Sequence, residues 1–439
     1  MSKTSHKQTR TISRRKFIGQ AATLSAFFIV PRHVLGGKGY TAPSDQITLG
    51  FIGTGRQGIN LLHSFTQTGE AQIVAACDVY AAKLKNFIEK TNAFYAARAG
   101  GEQYKGCDAY TDFRVLLERK DIDAVVIATP DHWHAVQVVQ AAKAGKDIYC
   151  EKPLSLTIAE GKAMVKAVRA SRCVFQTGSM QRSWPEFRQT VELIRNGYIG
   201  DIKTVKVSVG GPPVPYALQG QPVPEGLDWD RWLGPNEYLP FHPDIAPPLG
   251  ADIWARWRYY TELGGGDLTD WGAHMFDIVQ WALDMDRSGP VRIVPPDGKD
   301  HAHLTFYYAN GITMTHENFG KNHAIRFIGS KGQIDVQRRK LETIPESLKD
   351  LVITDTDKRV YKSENHYKDW LQAIRNRTQA ICDVETGHRS ATIGNLGNIA
   401  YALNRPLQWD PRKEQFKGDK EANNLLGRRM RPEWSLEHV

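Results

Sequence analysis

From Gln46 onward the spacing of apolar and polar positions changes period repeatedly, and each change predicts an element. ITLGFIG reads as a strand, RQGINLLHSFTQTG as a helix and AQIVAACD as a second strand, which together make a βαβ unit. Two further apolar runs, DAVVIAT and KDIYCEKP, flank AVQVVQAAKAG, whose apolar spacing suits a helix. IAEGKAMVKAVRASR then leads into one more run, CVFQTGS. Short, nearly continuous apolar strands alternating with helices predict a parallel sheet covered on both faces.

After about Gln176 the pattern changes. A helix is predicted over Trp184 to Asn196, followed by the alternating strand IKTVKVSVG. A Pro/Gly/Trp-rich stretch runs from Gly210 to Gly250, too long for a plain connection and therefore read as a functional or packed insertion. Beyond it come a helix from about Asp270 to Leu283 and period-two runs VRIVP, AHLTFYYAN, ITMTHENF, AIRFIGS and GQIDVQ, broken by Asn-Gly and Ser-Lys-Gly turns. These predict a large, mostly antiparallel sheet. Helices return at HYKDWLQAIRNR and SATIGNLGNIAYAL. The predicted layout is α/β: a doubly wound domain over 46–176, an α+β domain over 177–404 and an irregular tail over 405–439.

Charge modifies this picture at one end only. The 439-residue chain is 41% apolar, enough for two domains, and carries a net charge of +9. Eight basic residues and no acidic ones lie between Met1 and Lys38, so the remainder holds only +1. The body thus gives no electrostatic reason to expect nucleic acid. Residues 1–37 read as an export signal: a basic segment with Ser13, Arg14, Arg15, Lys16 and Phe17, then an apolar run from Ile18 to Val30 too short to span a bilayer comfortably. The arginine pair resembles a twin-arginine signal, which carries folded cargo and predicts a periplasmic or other extracytoplasmic location. An uncleaved signal would leave a membrane tether, since the 34–37 region has no clean Ala-x-Ala site. Five scattered cysteines without a C-x-x-C pair argue against a disulfide framework.

Gly53, Gly55 and Gly58 spell G-x-G-x-x-G between the first strand and its helix, a pattern that lets backbone approach a pyrophosphate at a helix amino terminus. Asp78, 20 residues past Gly58, is placed to accept hydrogen bonds from an adenosine ribose and favours NAD over NADP. IATPDHWH and YCEKP fall at carboxyl ends of later strands, where the ligand crevice of such a sheet lies. Lys152 is the cation with a mobile proton there; Glu151 either holds it or faces the nicotinamide ribose, unless the two are a surface pair before a proline turn. His132 and His134 have the spacing of a metal pair but lack a third ligand, so no metal is expected. In GGGDLTDWGAHMFDIVQWAL, Asp270 and His274 are four apart, so on a continuous helix the carboxylate would fix the imidazole tautomer and raise its pKa; the alternative is a capped helix with a packed histidine.

GTGRQG, ATPDHWH with CEKP, the glycine run with D-x-x-x-H and ETGHRSATIGNLGNIAYAL together resemble the Gfo/Idh/MocA oxidoreductases, relatives of glucose-fructose oxidoreductase and inositol dehydrogenase. The resemblance implies a Rossmann domain, a sheet domain whose open face forms a homodimer or tetramer, and a sugar or cyclitol substrate. It places Arg56, Gln57, Thr129, Pro130 and His134 with the glycines, Asp78, Glu151 and Lys152 around the cofactor, and Lys152, Asp270 and His274 around the reacting atoms. His274 would be the base and Lys152 would hydrogen-bond the same oxygen. Arg182 and Trp257 are candidate substrate contacts, within a wider set of Trp184, Trp229, Trp232, Trp254 and Arg256 suited to a sugar platform. Export ahead of a nucleotide-binding motif implies a cofactor carried along tightly bound. The other readings are a glycosidase that oxidises transiently, and a sensor without chemistry.

Overall fold

The computed structural model describes residues 46–98 and 106–436; the export-signal reading falls on residues outside these. Two sheets organise the described chain. The first is parallel, with strands β1 (Ile47–Ile52), β2 (Ala71–Cys77), β3 (Asp108–Tyr110), β4 (Ala124–Ile127), β5 (Asp147–Cys150) and β6 (Phe175–Thr177) in the order β3-β2-β1-β4-β5-β6. β4 and β5 are buried at every position, as strands covered on both faces must be.

Helices α1 (Arg56–Thr68), α2 (Ala81–Arg98), α3 (Phe113–Glu118), α4 (Asp131–Lys143) and α5 (Ile158–Ser171) connect these strands. Local chemistry sets several boundaries. Asp112 caps α3, and Thr157 with Glu160 forms a reciprocal capping box on α5. One face of the sheet packs Phe113, Leu116, Trp133, Val136 and Met164 into a core; the other packs Leu61, Phe65, Phe87 and Tyr149.

The second sheet has nine strands, β7 (Ile202–Ser208), β8 (Arg292–Val294), β9 (Leu304–Tyr307), β10 (Thr313–His316), β11 (Ala324–Gly329), β12 (Gln333–Gln337), β13 (Lys340–Ile344), β14 (Leu407–Asp410) and β15 (Gln415–Phe416), ordered β13-β12-β11-β7-β10-β9-β8-β14-β15. It is antiparallel except for the β7–β10 pair. Helices α6 (Pro185–Arg195), α7 (Trp229–Leu233), α8 (Gly266–Asp270), α9 (Gly272–Ala282), α10 (His366–Asn376) and α11 (Val384–Leu403) complete the elements used below. Val191, Phe276, Ile278 and Leu396 join sheet residues Val205, Phe306 and Phe327 in the largest core.

Two features depart from the sequence reading, and a third shows the predicted insertion as a packed one. The stretch 405–439 is not simply irregular: Leu407 and Trp409 enter the sheet core, and Trp434 packs beside Phe113 and Trp133 of the first domain. Trp370 and Leu371 of α10 pack onto the first sheet although they lie nearly 200 residues beyond it. The Trp-rich insertion builds a small core of its own, with Trp229 and Trp232 stacked at 4.7 Å. It is tied to the first domain at Ala81 N–H to Gly226 O (2.8 Å) and Asp228 N–H to Val79 O (3.0 Å).

Candidate active site

The strand order reverses between β1 and β4, so the crevice predicted for a doubly wound sheet opens there. A cleft of about 1060 Å³ occupies that place, large enough for a dinucleotide and a second molecule. Its lining includes Gly53, Gly55, Arg56 and Gln57 after β1, Asp78 after β2, Thr129 and Pro130 after β4, and Glu151 and Lys152 after β5.

The glycines divide the work of the turn. Gly53 has φ +93°, and a Cβ there would lie 2.7 Å from the Ala128 carbonyl; one at Gly58 would lie 2.4 Å from Gly53 O. Both are fixed by close packing of turn and helix. A Cβ at Gly55 would meet nothing within 4 Å, because that position faces the cleft. No side chain caps α1, which leaves its first N–H groups available to an anion. Asp78 accepts from Thr54 N–H and Oγ1 (both 2.8 Å) through Oδ2 and from Tyr80 N–H (2.9 Å) through Oδ1, which fixes the carboxylate at the cleft edge. Glu151 is buried and accepts from Gln57 Nε2 at 2.8 Å; burial raises its pKa, with Lys152 and Gln57 partly opposing. Open space, orphaned donors and a ribose-reaching acid are what a dinucleotide needs, so these residues fit NAD.

His134 belongs elsewhere. It is buried away from the cleft lining, and its ring nitrogens meet the carbonyl oxygens of Pro153 and Thr129, each at 2.9 Å. Its place is behind the cofactor-facing loops, tying one to the other. Burial pushes its pKa down to about 4. His132 turns to Trp232 O at 3.0 Å, fastening the insertion rather than joining His134.

At the other end of the cleft the expected Asp270–His274 partnership is replaced. The helix register breaks at Trp271, between α8 and α9, where His274 N–H bonds back to Trp271 O. Asp270 Oδ1 instead accepts from Lys152 Nζ at 2.7 Å and from Arg258 Nε at 3.3 Å, while its backbone carbonyl accepts from Lys152 Nζ at 3.0 Å. Two cations outcompete a neutral ring for one carboxylate. Burial alone would raise the Asp270 carboxyl; Lys152 and Arg258 overcome that and hold it below the usual range.

His274 is 3% exposed and its ring makes no hydrogen bond among the described residues; its Nδ1 is buried without a partner. Burial, and then the positive charges of Lys152 and Arg338, lower its pKa far below 6.5, opposite to the rise expected from a stacked Asp. It is therefore a neutral imidazole beside an ammonium group.

Arg182 is also corrected. Only 2% exposed, it clamps Asp277 (Nε and Nη2 at 2.8 Å) and Asp286 (Nη2 at 2.7 Å) and does not line the cleft. Two interior carboxylates claim its planar fork. Trp257 does line the cleft, buried to 6% with Arg258 4.2 Å above its ring. Trp254, half exposed, lines it too, whereas Trp229 and Trp184 do not. Sequence reasoning singled out Arg256, which pairs with Asp244, and missed Arg258 two positions on. It also missed Arg338, beside Trp271 in the cleft wall.

A dinucleotide cradle joined to a buried Lys–Asp pair and a neutral histidine defines an NAD-binding oxidoreductase. The chain belongs to the Gfo/Idh/MocA family: residues 47–179 match its "Oxidoreductase family, NAD-binding Rossmann fold" and 214–436 its "Oxidoreductase family, C-terminal alpha/beta domain". Inositol 2-dehydrogenase of Rhizobium meliloti is 31% identical over 372 residues, covering 81% of this chain and 94% of that one. Myo-inositol 2-dehydrogenase of Thermotoga maritima is 24% identical, covering 81% and 93%. Among solved structures, aldose-aldose oxidoreductase from Caulobacter crescentus shares the fold at a TM-score of 0.57 and 17% identity, covering 83% of this chain and 99% of that one.

Proposed function

We propose that the protein transfers a hydride between a ring CH–OH of a sugar, cyclitol or glycoside and a tightly held nicotinamide cofactor. The carrying observation is the Lys152–Asp270 pair at 2.7 Å lining the same cleft as His274 and the glycine turn. The bound NAD would supply the hydride acceptor. His274, held neutral, takes the hydroxyl proton as the hydride leaves. Lys152 donates to the same oxygen and offsets its developing charge, while Asp270 aims Lys152 and leaves the imidazole free. The turn at Gly53 and Gly55, packed against α1 through Gly58, holds the pyrophosphate and Asp78 the ribose.

Three observations support the wider reading. The inositol dehydrogenases named above favour a polyol substrate. Ser13 to Phe17 and the basic leader favour twin-arginine export to the periplasm. The insertion favours a retained cofactor, because Asp252 pairs with Arg56 at 3.1 Å and Trp254 lies 4.9 Å beneath that arginine, across from the glycine turn. The outward side of the second sheet, carrying Lys206, Arg326 and Asp335, is the face we assign to homo-oligomer formation.

A second reading, glycoside cleavage by transient oxidation and elimination, draws on a 26% likeness over 235 residues to a glycosyl hydrolase family 109 protein of Stenotrophomonas maltophilia, spanning 50% of each chain. Incubation with sugars, cyclitols and aryl glycosides, following bound-nicotinamide absorbance and product mass, separates the two. A reduced-cofactor band with a keto product supports the dehydrogenase; released aglycone without net reduction supports the glycosidase. Silence on every substrate overturns both.

A further inference from the structure

Arg338 sits in the turn between β12 and β13, where Gln337 pairs with Lys340. Its neighbour Arg339 takes the left-handed position at φ 62° and is exposed. Arg338 turns inward. Its guanidinium lies 4.6 Å from the Trp271 ring and 5.4 Å from the Trp184 ring, and its Nε donates to Oε1 of the buried Gln181 at 3.0 Å. Two aromatic faces and an amide thus hold the plane of the fork. The remaining N–H groups make no hydrogen bond to any described residue, and no described carboxylate lies within ion-pairing distance.

The local charge makes this unusual. Lys152 and Arg258 both pair with the carboxylate of Asp270, and Arg338 lines the same cleft as a further cation that pairs with no described carboxylate. A half-buried arginine held rigidly, with its fork edge free and Asp270 and Glu151 acting on it only from beyond ion-pairing distance, matches the bidentate geometry of a carboxylate.

We propose that Arg338 determines specificity by receiving the carboxylate of an acidic sugar, a uronic or aldonic acid or its glycoside. This rests on the reading of the cleft as a carbohydrate site and names the class of carbohydrate. A sugar phosphate offers the same guanidinium a dianion, which a single unshared cation compensates less well.

The test is binding to the NAD-loaded full chain, read by calorimetry and by quenching of tryptophan fluorescence, with D-glucuronate, D-glucose and a glucose phosphate as probes. The wild type is expected to prefer glucuronate over glucose by about tenfold or more, and Arg338→Gln to reduce that preference about tenfold to a hundredfold, the scale of a hydrogen bond to a charged group. Arg338→Lys should restore only part of it, since the charge returns without the fork. NAD affinity and the urea midpoint of R338Q should match wild type. Equal binding of glucuronate and glucose by the wild type, an unchanged preference in R338Q, or tighter binding of the phosphate would each overturn the proposal. If R338Q does not fold, R338K and the wild-type ratio decide it on the same criteria. Glucuronate that binds through Arg338 yet never reduces the nicotinamide would instead strike the dehydrogenase reading and leave the recognition role standing.

Discussion

Asp270→Asn preserves the shape of a side chain that Lys152 and Arg258 both hold, and removes only its charge. The carboxylate lies 2.7 Å from Lys152 Nζ and 3.3 Å from Arg258 Nε, with a side chain only 13% exposed. A hydrogen bond to a charged group contributes about 1.5–3 kcal/mol, and making it neutral on one side removes about half. Over two such bonds the loss is about 1.5–3 kcal/mol, or roughly 10- to 150-fold in the reduction step at 1.36 kcal/mol per tenfold. Single-turnover reduction of the bound nicotinamide measures it. NAD affinity should shift by less than about threefold, because Asp270 makes no hydrogen bond to the glycine turn or Asp78. If Asp270 acts by aiming Lys152, the double variant D270N/K152M will be little slower than K152M alone. Additive losses would refute that role, as would a D270N rate equal to wild type.

The glycines should separate structure from binding: Gly58→Ala forces a Cβ against Gly53 O and should lower the unfolding free energy measured in urea by about 1–3 kcal/mol, whereas Gly55→Ala meets nothing and should keep its stability while losing NAD affinity. Arg182→Met should cost about 3–5 kcal/mol by stranding Asp277 in the interior, measured by urea unfolding, while the folded fraction keeps kcat/KM within about twofold. His366 is buried, which depresses its pKa to about 3. On acidification the unfolded chain, titrating near 6.5, takes up the proton first, so the stability is present above that value and falls as pH drops. Linkage gives about 2 kcal/mol lost between pH 7 and 5, and the difference between wild type and His366→Gln in urea titrations should show it.

Both sheets were legible because their strands obey period rules that tertiary context rarely overrides. ITLGFI and AVVI are continuous apolar runs and became buried parallel strands; IKTVKVS alternates and became a half-covered strand. What the pattern did not carry was packing across long separations. LQWD of β14 and QF of β15 are too short to announce a strand; β14 exists because β8 presents an edge to pair with, and β15 because β14 then does. HYKDWLQAIRN was legible as a helix, but not its docking onto Phe65 of α1 and Tyr149 of β5 in the first domain.

The site was legible to the extent that backbone geometry places it and illegible where charges choose partners. Gly53 to Gly58, Asp78, Glu151 and Lys152 follow strand ends, so sequence order alone puts them on one edge. Spacing also set Asp270 and His274 four apart, but spacing only permits a contact. A carboxylate gains far more from an ammonium and a guanidinium than from a neutral ring, and Lys152 and Arg258 arrive from other elements. The consequence for chemistry is an inversion of roles. Had Asp270 bonded His274, it would have stabilised the imidazolium and made the ring the stronger base. With the carboxylate spent on Lys152, His274 remains neutral between buried walls and two cations: it is free to take the hydroxyl proton but binds it weakly, so the proton passes on readily when the reaction runs in reverse.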